Sequence, residues 1–257
     1  MISRLSNGLR LIGFDFGCFA QTLLALPRFW QDVRRYRASA SRRFPLRLRY
    51  LKPMLRDYAG QAGAADGHYF FQDLWAARQI FAARPGQHFD IGSRIDGFVA
   101  HVLSFMPVSV MDIRPLTSEV PGLTFVQADA TNLSTIADNA IESLSCLHAA
   151  EHFGLGRYAD PIDPNACFAA MEAMQRVLQP GGRLYFSVPV GLERLEFNAH
   201  RVFDPRTILK TFDGLQLLNF AVVDDTGTFH ARADPLRYTR ARYACGMFEF
   251  TKPHDTG

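Results

Sequence analysis

Three aspartates close three short apolar runs in the middle of this 257-residue chain: Asp90 within His88-Phe89-Asp90-Ile91, Asp112 after Val108-Ser109-Val110-Met111, and Asp129 after Phe125-Val126-Gln127-Ala128. The first run leads into Gly92-Ser93-Arg94-Ile95-Asp96-Gly97, a turn in which a glycine lets the backbone come close to a ligand. Asp112 follows Asp90 by twenty-two residues, the separation at which a nucleotide-binding strand-helix-strand unit accepts a pair of ribose hydroxyls. Seventeen residues further on, Asp129, with Ala130 after it, is placed to accept from an exocyclic amine such as that of adenine. A single acid at a strand end is ordinarily a helix cap or turn former. Three at successive strand ends point to a nucleotide.

A second polar cluster follows the run Ser143-Leu144-Ser145-Cys146-Leu147: His148-Ala149-Ala150-Glu151-His152. The HxxEH spacing matches a zinc-ligand pattern that requires a sustained helix and a further acidic ligand. Gly154, Gly156, Pro161 and Pro164 come almost at once, so little helix is available and no metal is expected. The alternative chemistry is proton removal from a hydroxyl acceptor by His148, Glu151 or His152, with the two histidines favoured by their ordinary pKa. The loop from Gly154 to Asp163 has the composition of a cover over a pocket and carries Arg157, Tyr158, Asp160 and Asp163. Further on, Arg201 suits a phosphate or carboxylate, while Glu196, Asn198 and His200 suit sugar hydroxyls; ion pairs between loop and body are the competing reading.

Positioning these groups requires strands that end together. Seven β-type runs are predicted at His88–Ile91, Val108–Met111, Leu123–Val126, Ser143–Leu147, Arg183–Val188, Leu215–Val222 and Gly246–Thr251. Helical spacing appears at Tyr69–Ala83, Gly97–Phe105, Asn165–Leu178 and Asp204–Phe212. Alternation of this kind predicts a mostly parallel sheet covered on both faces, because parallel neighbours need long crossovers. In Gln179-Pro180-Gly181-Gly182, proline and glycines stop a helix and turn the chain into a buried strand.

That Pro-Gly-Gly entry resembles the fifth strand of class I S-adenosylmethionine-dependent methyltransferases. A closer resemblance, over about Tyr58 to Thr251, is to the DUF268 family. It is carried by Gly67-His68-Tyr69-Phe70, by Asp90-Ile91-Gly92-Ser93-Arg94-Ile95-Asp96-Gly97-Phe98-Val99-Ala100-His101, by Phe153-Gly154-Leu155-Gly156-Arg157-Tyr158 with Asp160-Pro161-Ile162-Asp163, and by Glu196-Phe197-Asn198-Ala199-His200-Arg201-Val202-Phe203. The resemblance implies a Rossmann-like seven-stranded sheet with an antiparallel last strand, S-adenosylmethionine as cofactor, and a link to bacterial surface-polysaccharide biosynthesis. It places Asp90, Gly92 and Ser93 near the methionine part, Asp112 at the ribose, and Asp129 with Ala130 at the adenine. The usual glycine loop would have glycines at 94 and 96, where this chain has Arg94 and Asp96. The function implied is O-methylation of a sugar, nucleotide-sugar or glycolipid intermediate. The rival readings are a non-catalytic assembly factor on the same fold and a metal-dependent hydrolase using His148, Glu151 and His152.

Charge divides the chain. Up to Arg56 there are twelve Lys/Arg and two acids, which leaves the rest about −7 within a total of +3. Residues 28–56 interleave ten basic residues with Phe29, Trp30, Tyr36, Phe44 and Tyr50. We read residues 1–57 as a basic, helical arm and 58–257 as the Rossmann-like domain, with a hinge at Gly60–Gly67. The arm suits an anionic membrane leaflet or a glycosyltransferase partner, with nucleic acid disfavoured. The apolar stretch from Leu9 to Trp30 carries too many charges to span a bilayer, and no signal-peptide pattern is present. Cys18, Cys146, Cys167 and Cys245 lack CxxC spacing and read as reduced thiols. The expected location is cytoplasmic, with peripheral contact at the inner membrane surface.

Overall fold

The computed structural model describes residues 16–39, 44–55, 57–59 and 65–254. They fall into two compact units, Met1–Ala65 and Asp66–Gly257. Arg42, Arg43, Arg56 and the hinge residues 60–64 lie outside the described residues.

In the first unit, helix α1 (Phe16–Ala38) runs through Pro27 and ends on Arg35 and Arg37, basic residues that suit the negative end of a helix. Tyr58 donates to Asp32 (3.1 Å) and lies under the Arg28 guanidinium at 4.5 Å. The Tyr36 hydroxyl donates to the Phe44 carbonyl at 2.9 Å. Leu23, Leu24, Trp30 and Tyr36 are exposed beside the basic residues. Among the described residues no helix is long and apolar enough to cross a membrane.

The second unit opens with helix α2 (Gly67–Ala83). Strands β1 (His88–Ile91), β2 (Val108–Asp112), β3 (Leu123–Gln127), β4 (Ile141–Leu147) and β5 (Leu178–Val190) follow, with helices α3 (Ala100–Leu103) and α4 (Ala166–Val177) among their connections. A short hairpin, β6 (Arg194–Glu196) and β7 (His200–Val202), precedes helix α5 (Pro205–Thr211), and the chain ends in β8 (Gln216–Val223), β9 (Phe229–His230) and β10 (Ala244–Thr251). The sheet order is β3-β2-β1-β4-β5-β10-β8-β9. β1 to β5 pair in parallel, while β10 runs antiparallel to both β5 and β8. All seven predicted strands are present, and the last is antiparallel as expected. The eighth, β9, is a two-residue edge strand that pairs back on β8.

Both faces are covered for the reason the pattern gave. On one, Met171, Met174 and Val177 of α4 pack over Leu144, Phe186, Phe248 and Phe250. On the other, Trp75, Ala76 and Ile80 of α2 meet Phe98, Val102, Tyr185 and Met247. Each large apolar side chain buried in this way contributes about 1.5–3 kcal/mol. The predicted helix over 97–105 instead begins as a π turn at Ile95–Val99 before α3. A Cβ at Gly97 would run into Asp73 Oδ2 on α2, so a side chain here would force that buried carboxylate to move.

Candidate functional site

The strand order reverses between β1 and β4, and the carboxyl ends of the strands at that switch point border a cleft. A cavity of about 280 Å³ is lined by Gly92 after β1, Asp112 and Arg114 at the end of β2, Asp129 and Ala130 after β3, and His148 and His152 after β4. A second, of about 400 Å³, shares Gly92, Asp112, Arg114, His148, His152 and Tyr158 and adds Tyr69, Ser93, Arg94 and Arg157. These volumes are of the order of small-ligand sites, roughly 300–1,000 Å³.

The loop after β1 is fixed from below by Asp90. Its carboxylate is fully buried and accepts from Ser93 N (3.0 Å), Ser93 Oγ (2.6 Å) and Ser145 Oγ (2.5 Å). Ser93 Oγ in turn accepts from Leu147 N (3.1 Å), which ties this loop to the end of β4. Burial pushes the Asp90 pKa up to about 6 against those three hydrogen bonds. Asp90 therefore supports the cleft floor without lining either cavity, whereas Gly92 and Ser93 reach the surface. Gly92 has φ +66, and a Cβ there would stand 3.2 Å from the Ala149 side chain. The loop bends away at Arg94, which pairs with exposed Asp96 (3.1 Å) and lies 5.1 Å over the Tyr69 ring.

Asp112 does face the cleft, and its carboxylate is engaged. Arg114 donates to it from its backbone N–H (2.8 Å), Nε (3.0 Å) and Nη2 (2.7 Å), and lies 4.4 Å over the Tyr158 ring. Asp129 accepts from Thr131 N and Oγ1 through one oxygen, Oδ1 (2.9 and 2.7 Å).

After β4 the chain makes one 3₁₀ turn, Ala150–His152, so the helix that an HxxEH zinc site needs is absent. His148 sits in left-handed backbone, φ +48, a strained conformation that concentrates at functional sites. Its Nδ1 is 3.2 Å from Glu151 Oε1 and its Nε2 3.3 Å from Cys245 Sγ. Burial opposes protonation of His148, but Cys245 and Glu151 outweigh it and raise its pKa well above the usual value. Burial would likewise neutralise Glu151, yet His148 beside it holds its carboxyl low. His152 differs: its Nδ1 lies 2.7 Å from the Ala199 carbonyl, which assigns the proton to Nδ1 and leaves Nε2 unprotonated, 3.5 Å from Arg157 Nη1 and 3.7 Å from Glu151 Oε1. Burial lowers the His152 pKa, so this ring is neutral. Of the three groups, His152 has the nitrogen best suited to take a proton, while His148 and Glu151 hold each other.

The remaining sequence candidates separate. Tyr158, Asp160 and Asp163 line the first cavity and Arg157 the second. Asp160 is spent on the loop itself, accepting from Gly154 N (2.7 Å) and Tyr158 N (3.1 Å), and Asp163 accepts from Asn165 N (2.8 Å). Glu196, Asn198, His200 and Arg201 lie on or beside the β6–β7 hairpin and line neither cavity. Arg201 is not an anion clamp: its guanidinium donates to the carbonyls of Glu151 (3.4 Å), Phe153 (2.7 Å) and Pro164 (3.3 Å). Glu196 pairs with Arg194 (2.7 Å) and His200 (3.3 Å). The hairpin reaches the cleft through Ala199, whose carbonyl also accepts from Arg157 (2.8 Å). Arg114, Tyr69 and Cys245 were not singled out as site residues from the sequence. Arg114 follows Asp112 by two residues, and the other two meet His148 only through the fold.

This sheet, with its reversed last strand and its cleft at the switch point, is the Rossmann-like fold of class I methyltransferases, and solved structures agree. The chain is similar to the [4+2]-cyclase SpnF at 15% identity and TM-score 0.50, over 71% of this chain and 80% of that one. It is equally similar to the 1,6-didemethyltoxoflavin-N1-methyltransferase of Burkholderia thailandensis, solved with S-adenosylhomocysteine, at 16% identity and TM-score 0.50, over 71% of this chain and 79% of that one. Residues 126–240 match the family described as Caenorhabditis protein of unknown function, DUF268. Two of the motifs that carried the resemblance in the sequence, Phe153–Tyr158 and Glu196–Phe203, lie inside that stretch. No curated protein matches the chain.

Proposed function

We propose that the second unit is an S-adenosylmethionine-dependent methyltransferase that acts on an oxygen nucleophile. The observation that carries this is the single cleft in which Gly92, Asp112, Asp129 and His152, from four successive strand ends, face one space. The chain's residues fit the cofactor. Gly92 opens the floor where a side chain would meet Ala149, Asp112 stands at the cleft with a carboxylate that two hydroxyls could take over from Arg114, and one oxygen of Asp129 stays clear of its turn bonds. The bound cofactor would supply an electrophilic methyl group. His152 Nε2 would take the proton from the acceptor hydroxyl, with Ala199 fixing its tautomer. Tyr158, stacked edge-on to His152 at 5.7 Å, would help exclude water. The acceptor class we infer is a sugar, nucleotide-sugar or glycolipid intermediate of surface-polysaccharide assembly. Its support is the family resemblance together with the polar second cavity of Arg94, Arg157, Tyr69 and Tyr158.

One observation favours a second reading, a non-catalytic factor on the same fold: Arg114 occupies the carboxylate that the ribose would need. Calorimetry of the full chain with S-adenosylhomocysteine tests both. Binding that Asp112→Ala weakens supports the cofactor reading. No binding to folded protein, or binding indifferent to Asp112→Ala, removes it. Binding without transfer to any of a panel of glycan acceptors favours the factor.

A further inference from the structure

Three ligand-type side chains from distant parts of the chain converge behind the cleft: His68 in the first turn of α2, His148 after β4 and Cys245 in β10. Each offers one donor atom, and the three atoms lie within 4.8 Å of one another. We propose that His68, His148 and Cys245 bind one Zn(II) ion.

The geometry suits the ion. His148 Nε2 and Cys245 Sγ are 3.3 Å apart. A zinc ion ~2.0 Å from the nitrogen and ~2.3 Å from the sulfur bridges that gap at an angle of about 100°, close to tetrahedral. Binding would displace the hydrogen now shared there: the S–H bond breaks, a Zn–S bond forms, and the proton leaves to solvent. Two imidazoles and a thiolate form a borderline-soft set that selects zinc over magnesium, calcium or manganese.

Around the three donors stands the support that metal-binding histidines have. Glu151 Oε1, 3.2 Å from His148 Nδ1, fixes the tautomer that turns Nε2 toward the sulfur, the carboxylate–histidine–metal arrangement. The other oxygen of Glu151 is buried without a hydrogen-bond partner. Left-handed backbone at residue 148 aims that ring, and His68 is held by stacking on Tyr243, centroids 5.2 Å apart. The same Cys-His-Glu chain could be read as a nucleophilic triad, but Cys245 is fully buried and lines neither cavity, so no substrate reaches its sulfur. A metal needs no such contact. The ion would pin the first turn of α2 to the ends of β4 and β10 and hold His148, which borders both cavities.

This site shares His148 and its partner Glu151 with the HxxEH string read in the sequence but differs from that zinc pattern, since His152 is not a ligand and His68 and Cys245 are, and it does not depend on cofactor binding. The test is metal analysis of the full chain after incubation with excess Zn(II) and desalting, with Co(II) substitution as an optical probe. We expect about one equivalent of zinc and a thiolate-to-cobalt charge-transfer band. Cys245→Ser should abolish both the stoichiometric zinc and the band, and His68→Asn, at a half-buried position, should abolish stoichiometric zinc while keeping a native circular dichroism spectrum. Glu151→Gln should weaken zinc binding 10- to 100-fold, and His152→Ala should leave one equivalent bound. Folded wild type that holds far less than one equivalent overturns the proposal. So does zinc that survives in folded Cys245→Ser or His68→Asn, a cobalt complex without a thiolate band, or zinc lost on His152→Ala.

Discussion

Asp90 gives a stability prediction that the structure sets in both sign and size. Its carboxyl is raised from 3.8 to about 6, first by burial and further by the charge of Asp112, while Ser145 and Ser93 pull it back. Cys146 is the other titratable neighbour, and burial keeps its thiol protonated. The folded state therefore binds the Asp90 proton more tightly than the unfolded chain, so this group favours folding fully below about pH 4 and loses that contribution as pH rises through about 6. Two units correspond to about 3 kcal/mol, and Asp90 is buried enough for the figure to stand without a solvent discount. Asp90→Asn removes the titration but keeps the network: its oxygen accepts from Ser93 N, and its NH₂ donates to the Ser93 and Ser145 hydroxyls, which rotate to accept. Urea unfolding of both proteins from pH 4 to 7.5 should show the Asn variant gaining about 2.5 kcal/mol on wild type across that range, most of it between pH 4 and 6. Parallel curves would mean that the Asp90 proton is not held by the fold, and would refute the reasoning.

Three further outcomes are expected. Arg114→Gln frees Asp112 from an exposed pair of the kind worth ~0.2–1 kcal/mol, so S-adenosylhomocysteine should bind up to about fivefold tighter by calorimetry; weaker binding would show that Arg114 holds ligand instead of competing with it. Gly97→Ala drives a methyl into Asp73, and urea titration should read a loss of about 1–3 kcal/mol, whereas no loss would mean that the π turn is not held against α2. If the basic arm meets membranes, sedimentation with anionic vesicles should fail with neutral lipid, and should fail when salt shortens the screening length from about 10 Å to about 3 Å; indifference to either removes the membrane partner.

How much was legible in the sequence follows from which interactions are local. The seven strands and their ending acids could be read because each is a short run rich in aliphatic, β-branched and aromatic residues closed by a turn former, a signal that holds even for β3, which is only partly buried. The strands β6, β7 and β9 were not, since two or three residues carry no period. Asp112 lines the cleft, while the Arg114 that engages it, two residues on, gives no signal in the sequence, because local acid–base pairs are ordinary surface features. Arg201 was misread for the opposite reason. An arginine after a strand looks like an anion clamp until three carbonyls 37 to 50 residues earlier are found to absorb its donors.

The two structures most useful for comparison also limit what the fold can say. One belongs to a cyclase and the other to a methyltransferase, so the sheet and its switch-point cleft are compatible with more than one reaction. The reaction must be argued from the groups at the end of β4, where a division of labour is visible. Glu151 and Cys245 occupy both nitrogens of His148 and turn it inward, toward His68 and the sheet. His152, four residues on, is fixed at Nδ1 by the Ala199 carbonyl, and its Nε2 lies 3.7 Å from Glu151 Oε1 and 3.5 Å from Arg157 Nη1. The segment that looked in sequence like one catalytic motif shares one carboxylate, Glu151, between two histidines with different anchors, Cys245 for His148 and the Ala199 carbonyl for His152. Substituting His152 should therefore reduce methyl transfer while leaving the His148–Cys245 contact in place, whereas Glu151→Gln should disturb both, and parallel zinc and transfer assays on the two variants check this.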